Sequence, residues 1–179
     1  AYRRQRQMCI RDRHGGARRH ARASRRHCGL PHPLTRQQVE KGVAVQGILS
    51  GITVVDLSRL IAGPYAAMVL ADLGARVIKV EAMTGEEGRH FGPPFYGDSS
   101  VAFMTCNRGK ESIALDIRTP AGRSVLERLI SKAQVLVHNF RPDFAETHAL
   151  TYDAVRRINP TLVYYMVSAF GEQGDYRLR

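Results

Sequence analysis

From Thr53 onward, short apolar runs alternate with longer stretches of mixed polarity. The run Thr53–Leu57 (TVVDL) is β-branched and apolar, which predicts a strand. Residues 62–75 (AGPYAAMVLADLGA) predict a helix, because Pro64 suits a first helical turn and Gly74 a helix stop. Arg76–Val80 (RVIKV) follows after only a tight turn and predicts a second strand, so residues 53–80 read as one βαβ crossover. A loop containing Gly and Pro is predicted from Met83 to Ser100, and a strand over Ser112–Ile117. Thr119 and Pro120 form an N-cap and first helical residue for an amphipathic helix reaching Lys132. Further strands are predicted over Gln134–His138 and Leu162–Val167. Helical turns follow Pro142, and a short helix capped by Thr151 ends before Pro160, since a residue preceding proline is pushed out of the α region.

Apolar strands of this length, alternating with helices, predict an α/β fold: an open, mostly parallel, Rossmann-like sheet with helices on both faces. Such sheets bind ligands beyond the carboxyl ends of their strands, which directs attention to the loops after Leu57, Val80, His138 and Ser168. The segment after the first strand, SRLIAGPYAA, lacks the three glycines of a dinucleotide fingerprint. Gly63 stands alone before Pro64, which argues against a nicotinamide or flavin cofactor.

Charge changes the picture at one end only. The 179-residue chain carries a formal net charge of +11, of which residues 1–45 hold +10 and the remainder +1. The nearly neutral body gives no electrostatic reason to expect a nucleic-acid or anionic-membrane partner. Residues 1–45 show no sustained apolar periodicity and are expected to form a disordered leader to an α/β domain spanning 46–179. One functional reading of the leader is a polyanion-binding arm. The other is a non-native extension, because QRQMCIRDR resembles translated sequencing-adapter read-through. Cys9, Cys28 and Cys106 are too few and too scattered for a disulfide framework. The most apolar later stretch, Ile61–Ala75, is too short to span a membrane and contains Asp72, so a cytoplasmic setting is expected.

Seven strings occur in order between Gly47 and Tyr176: D-L-S-x-x-x-A-G-P, L-A-D-L-G-A-R-V-I-K-V-E, F-x-x-x-N-R-G-K-x-S-I-x-L-D, T-P-x-G, V-L-V-H-N-F-R-P, I-N-P-x-L-V-Y and S-x-F-G-x-x-G. Together they resemble the amino-terminal half of class III CoA-transferases, the carnitine and bile-acid type that includes formyl-CoA:oxalate CoA-transferase and α-methylacyl-CoA racemase. The resemblance implies coenzyme A as the bound group, acyl-CoA and a carboxylic acid as substrates, an interlocked homodimer, and no metal. It places CoA contacts at Ile61, Ala62 and Gly63, at Asn107, Arg108, Gly109 and Lys110, and at Asn139, Phe140 and Arg141. Arg108, Lys110 and Arg141 offer charge-assisted donors to phosphates, and a small Ala-Gly pair lets backbone approach the thiol-bearing arm. On the residues alone, Arg108 and Lys110 also fit a solvated loop pair, and Asn139 a turn residue bonding its own backbone. His138 reads as a satisfied strand-end residue, Glu81 as either a ligand acceptor or the partner of an Arg, and Tyr65 and Phe95 as core or lid packing.

The resemblance also implies a nucleophilic Asp about ten residues beyond the G-x-x-G turn, which places it after Arg179 and leaves this stretch without the catalytic group. CoA would then move through an aspartyl-CoA thioester, or, in a racemase, a carboxylate and histidine would shuttle a proton. Three departures stand out. Thr147, His148 and Ala149 occupy the place of an Arg-Leu-Gly triplet, Ala169 replaces a glycine, and Glu111 sets a negative charge beside Lys110. The competing classes are a nucleotide-binding module of another kind and a polyanion-binding protein without catalysis.

Overall fold

The computed structural model describes residues 4–5 and 47–178. Its strands are β1 (Arg4–Gln5), β2 (Thr53–Asp56), β3 (Arg76–Glu81), β4 (Phe95–Tyr96), β5 (Ser99–Ser100), β6 (Glu111–Ala114), β7 (Val135–His138) and β8 (Val163–Met166). Its helices are α1 (Ala62–Asp72), α2 (Val101–Asn107), α3 (Pro120–Ile130), α4 (Pro142–Thr147) and α5 (Tyr152–Ile158), with a 3-10 turn at Glu87–His90. The sheet order is β1-β6-β3-β2-β7-β8, and β6, β3, β2, β7 and β8 are mutually parallel. Arg4 and Gln5 lie antiparallel to β6, opposite Ile113 and Ser112. The other expectations for residues 1–45 fall outside the described residues. This is the α/β, mostly parallel sheet that the apolar pattern predicts.

Alternation along each strand divides the core in two. Val55, Ile78, Val80, Ile113 and Leu136 point to one face, where they meet Leu126 and Ile130 of α3, Ala145 of α4 and Val155 of α5. Val54, Val77 and Val137 point to the other and meet Ala67 of α1. Strands covered on both sides need apolar residues at consecutive positions, which is why β2 and β3 read as apolar runs rather than alternating ones, interrupted in β3 by the buried Lys79. The helix starts follow the predicted caps. Thr119 Oγ1 accepts from the Gly122 amide at 3.1 Å and Thr151 Oγ1 from Ala154 at 3.4 Å. Gly74, just past α1, has φ +98, and a Cβ there would lie 2.7 Å from the Gly47 Cα. A glycine is required on both counts.

Three boundaries differ from the sequence reading. Helix α2 was not expected; Ser100 caps it by accepting from the Phe103 amide at 3.0 Å. The loop from Met83 to Ser100 contains the 3-10 turn and the short β4-β5 hairpin. Strand β6 ends at Ala114 rather than Ile117, because the Asp116 carboxylate accepts from the Arg118 amide at 3.1 Å and its carbonyl from Thr119 Oγ1, folding a side-chain turn. Tyr65 and Phe95 are exposed rather than in the core. No helix among the described residues is long and apolar enough to cross a membrane.

The end of α4 carries a strained residue. The Leu150 amide bonds the Ala145 carbonyl at 2.7 Å and the Ala149 amide bonds Glu146 at 3.2 Å, the paired pattern that closes a helix through a left-handed residue. That residue is Ala149, with φ +49. A side chain there costs about 1–2 kcal/mol, of which the looser unfolded chain of a glycine returns about half. Ala149→Gly is therefore expected to stabilise the chain by about 0.5–1 kcal/mol, measured by urea denaturation with an unchanged slope.

Candidate functional site

Strand β2 lies at the centre of the sheet; the chain builds outward to β3 and β6 on one side, then crosses to β7 and β8 on the other. The carboxyl ends of β2 and β7 thus form the point where the order reverses, the usual location of a ligand crevice in such sheets. A cavity of about 420 Å³ opens along this rim. Its wall comes from the loop after β2 (Leu57, Ser58, Arg59), the segment after β3 (Glu81–Glu87), the turn after β6 (Leu115–Arg118) and the segment after β7 (Phe140, Phe144). The Arg59 guanidinium lies 5.2 Å from the Phe140 ring centroid and 5.9 Å from that of Phe144. Aromatic faces beside a guanidinium suit a flat base, and nearby Arg118 suits a phosphate. A second cavity of about 380 Å³ lies beyond Phe140, lined by Asn139, Arg141, Ser168, Phe170 and Arg177 among others.

The loop over β2 is held by side chains from below. The Asp56 carboxylate accepts from the Ser58 amide at 2.9 Å and also bonds the Ser58 hydroxyl. Lys79 Nζ donates to the Ser58 carbonyl at 2.8 Å. Asn139 grips Arg59 with both ends of its amide, accepting from the Arg59 N–H at 2.8 Å and donating to its carbonyl at 2.9 Å. Glu86 Oε1 accepts from the Leu60 N–H at 2.6 Å. Beneath the loop, Lys110 Nζ donates to Asp56, to the Pro64 carbonyl and to Asn107, each at 2.8 Å. Burial pushes the Lys110 ammonium down from its ordinary pKa, and Asp56 partly offsets this. Glu81, on the cavity wall, accepts two 2.7 Å bonds from Arg89. Burial alone would raise the Glu81 pKa, but the bonds from Arg89 and Ser112 outweigh it and hold the carboxyl below its usual range.

The structure brings together part of the expected contact set. Ile61 and Ala62 are exposed at the start of α1 beside the rim, and Asn139, Phe140 and Arg141 lie at the end of β7. Gly63 is buried, and a Cβ there would lie 2.3 Å from the Ser58 Cβ, so its small size serves the turn's own packing. The expectation that all three turns converge is corrected for residues 107–110. This segment precedes β6, so its backbone lies toward the sheet's amino edge, where Arg108 pairs with Asp72 in the last turn of α1. Helix α1, about 16 Å long, separates that pair from Ile61. Gly109 faces Ala71 in the same turn. The Lys110 side chain reaches beneath the rim with its three donors already engaged, one of them by the Asn107 Oδ1, while the Asn107 Nδ2 donates to the Phe103 carbonyl. Glu111 is neutralised by Arg76 at 2.9 Å and does not burden Lys110.

Sequence reasoning missed Arg59, the Asp116–Arg118 turn and the Lys79–Glu86 pair. The signal for the turn was available: residues following SIAL sit at the carboxyl end of a strand, whereas the N-R-G-K string precedes it. Glu81 resolves as the partner of Arg89. Among the described residues, no group of three or more His, Cys, Asp or Glu could hold a metal.

The fold and the crevice define an α/β protein with a cavity of about 420 Å³ at its switch point. The family model of CoA-transferase family III matches residues 49–179, and the chain belongs to that family. It is 42% identical over 135 residues to the succinate–glutarate CoA-transferase of Agrobacterium fabrum, covering 72% of this chain and 34% of that protein. It is 39% identical over 130 residues to the acetyl-CoA:oxalate CoA-transferase of Acetobacter aceti, covering 72% and 33%. A CAIB/BAIF family protein from Brucella suis superposes with a TM-score of 0.71 at 41% identity, covering 75% of this chain and 36% of that structure. The chain spans about a third of the length of the curated relatives it matches.

His138 titrates in a way that can be measured. It is fully buried; its Nδ1 accepts from the Phe140 amide at 3.2 Å and its Nε2–H meets the Tyr164 hydroxyl at 2.6 Å, which donates onward to the Leu150 carbonyl. Burial lowers its pKa from 6.5 to about 4, so the folded protein holds it neutral. Because the folded pKa lies below the unfolded one, the unfolded chain takes up the proton first as pH falls. Stability from this group is full above pH 6.5 and declines by up to about 1.4 kcal/mol per pH unit toward pH 4. Urea titrations from pH 7 to 4 should show a shallower decline for His138→Gln than for the unmodified chain.

Proposed function

We propose that this chain forms the coenzyme A binding part of a CoA-transferase, with the nucleotide end of CoA in the cavity at the switch point. The observation that carries this reading is the cavity itself: aromatic rings, aliphatic side chains and two arginines, Arg59 and Arg118, converge there from the loops after four parallel strands. Ligand cavities fall in this size range and combine apolar walls with a few polar anchors. Ile61, Ala62, Gly63, Asn139, Phe140 and Arg141 form the adjoining rim of the same proposal, and Lys110 acts from beneath by fixing Asp56.

The reaction we infer moves CoA from an acyl-CoA to a free carboxylic acid. The relatives act, by their names, on succinate and glutarate, on oxalate and on malate, which favours short dicarboxylic acids as the substrate class. The expected course is attack of an aspartate carboxylate on the thioester carbonyl, releasing CoA thiolate and leaving a mixed anhydride. The thiolate then attacks the aspartyl carbonyl, freeing the donor acid and forming an aspartyl-CoA thioester. The acceptor carboxylate attacks that carbonyl, expelling CoA thiolate and forming a second anhydride, and the thiolate attacks the acceptor carbonyl to give the new acyl-CoA and restore the aspartate. The resemblance puts that aspartate after Arg179. Consistent with this, Asp56, Glu81, Glu86 and Asp116 are each engaged by a cation, so none of them is a free nucleophile. An interlocked homodimer and a cytoplasmic setting belong to the same proposal.

Calorimetric titration of the 179-residue chain with CoA, NAD and duplex DNA at two salt concentrations tests the reading. Saturable binding is expected for CoA alone. Arg118→Ala is expected to weaken CoA binding about tenfold while leaving stability unchanged, because the Arg118–Asp116 pair is exposed and worth little to folding. Equal affinity for NAD, or CoA binding indifferent to Arg118, would count against the assignment.

A further inference from the structure

Glu86 and Lys79 are the most costly residues near the cavity that the function does not use. Both side chains are almost completely buried, and Lys79 Nζ sits 2.5 Å from Glu86 Oε2. Burying an ion pair is rarely a net gain over apolar packing of the same volume, so its presence calls for a reason other than stability. The backbone above supplies one. Leu60 has φ +64, a left-handed conformation unfavourable for a γ-branched side chain, and its N–H points down onto Glu86. Strain of this kind persists only where the surroundings over-determine it.

Here the surroundings do so. Of the six backbone N–H and C=O groups of Ser58, Arg59 and Leu60, five are bonded by the side chains of Asp56, Lys79, Asn139 and Glu86. Gly88 makes room for the arrangement: a Cβ at that position would lie 2.6 Å from Glu86 Oε1. Lys79 has a double task, since the same ammonium neutralises Glu86 and donates to the Ser58 carbonyl.

We propose that Glu86, neutralised by Lys79, is a positioning residue: it holds Leu60 in its left-handed turn and so fixes the shape of the Ser58–Leu60 wall against which CoA binds. Glu86 does not touch the reacting atoms. Its product is a rigid turn that sets Ser58 and Arg59 on the cavity wall and leaves Leu60 and Ile61 exposed beside it. The inference rests on the CoA reading for its ligand, but its structural part can be judged separately.

The test uses the ¹⁵N-labelled 179-residue chain with CoA as the probe. Four variants are compared: Glu86→Ala, Glu86→Gln, Gly88→Ala, and Ile130→Val as a destabilising control in the core of α3. The Leu60 amide proton should resonate downfield in the unmodified chain, as expected for a short bond to a carboxylate, and move upfield in Glu86→Ala and Gly88→Ala. CoA affinity should fall about tenfold in those two, fall less in Glu86→Gln, whose amide oxygen still accepts from Leu60, and stay unchanged in Ile130→Val. Should Glu86→Ala not fold, Gly88→Ala and Glu86→Gln carry the comparison. The proposal is overturned if the Leu60 resonance does not move, or if it moves while CoA affinity stays within about threefold. Failure of the unmodified chain to bind CoA sinks the ligand reading instead, and the Leu60 resonance alone then decides the clamp.

Discussion

Asp56 ends the central strand with its carboxylate completely out of water, and that ionised group is tolerable only because Lys110, the Ser58 amide and the Ser58 hydroxyl all bond it. A charge buried there cannot be left half-satisfied, so it dictates what surrounds it. Lys110 must reach in from the start of β6, and Ser58 must fold back over its own strand. Lys79 lies 3.9 Å from the same carboxylate and continues the network to Glu86. Two carboxylates and two ammoniums thus balance beneath one turn, and the rim of the sheet inherits its shape from that balance. Removing one partner would leave an uncompensated charge, which costs far more than the intact network contributes.

The same constraint explains why small residues cluster around the turn. Gly63 lies against Ser58 and Gly88 against the Glu86 carboxylate, each at a distance that excludes a Cβ. Neither glycine needs to face a ligand to be required; each gives way to a polar group already fixed by the charges. The cavity wall is therefore built from inside out, its exposed surface a consequence of buried pairing.

The strands and the parallel character of their sheet were legible because burial on both faces writes itself as apolar runs, and the caps at Thr119 and Thr151 because they bond locally; the order of the strands was not read from the sequence. Helix α2 was not, since its signal is a single serine cap followed by a short mixed sequence within a long connection. The site was half legible. Asn139 and Phe140 follow a strand whose direction the pattern fixes, so their place at the rim could be read. Arg108 was assigned to the same place on the strength of a motif, although it precedes β6 and pairs with Asp72 at the far end of α1; Lys110 starts from that side too, and only its long side chain carries it to Asp56. Pairings such as Lys79 with Glu86 depend on where a loop crosses back over the sheet, which no local pattern encodes.

A division of labour follows from the charges. A nucleophilic carboxylate must be ionised, exposed to its substrate and free of a permanent cation, since an ion pair lowers its reactivity along with its pKa. The acidic side chains of Asp56, Glu81 and Glu86 fail the last two of these conditions: all three are buried and paired. What such pairs do well is hold backbone still, and preorganisation of that kind serves binding rather than bond-making. The buried carboxylates beneath the Ser58–Leu60 turn are thus better understood as its supports than as agents of a reaction.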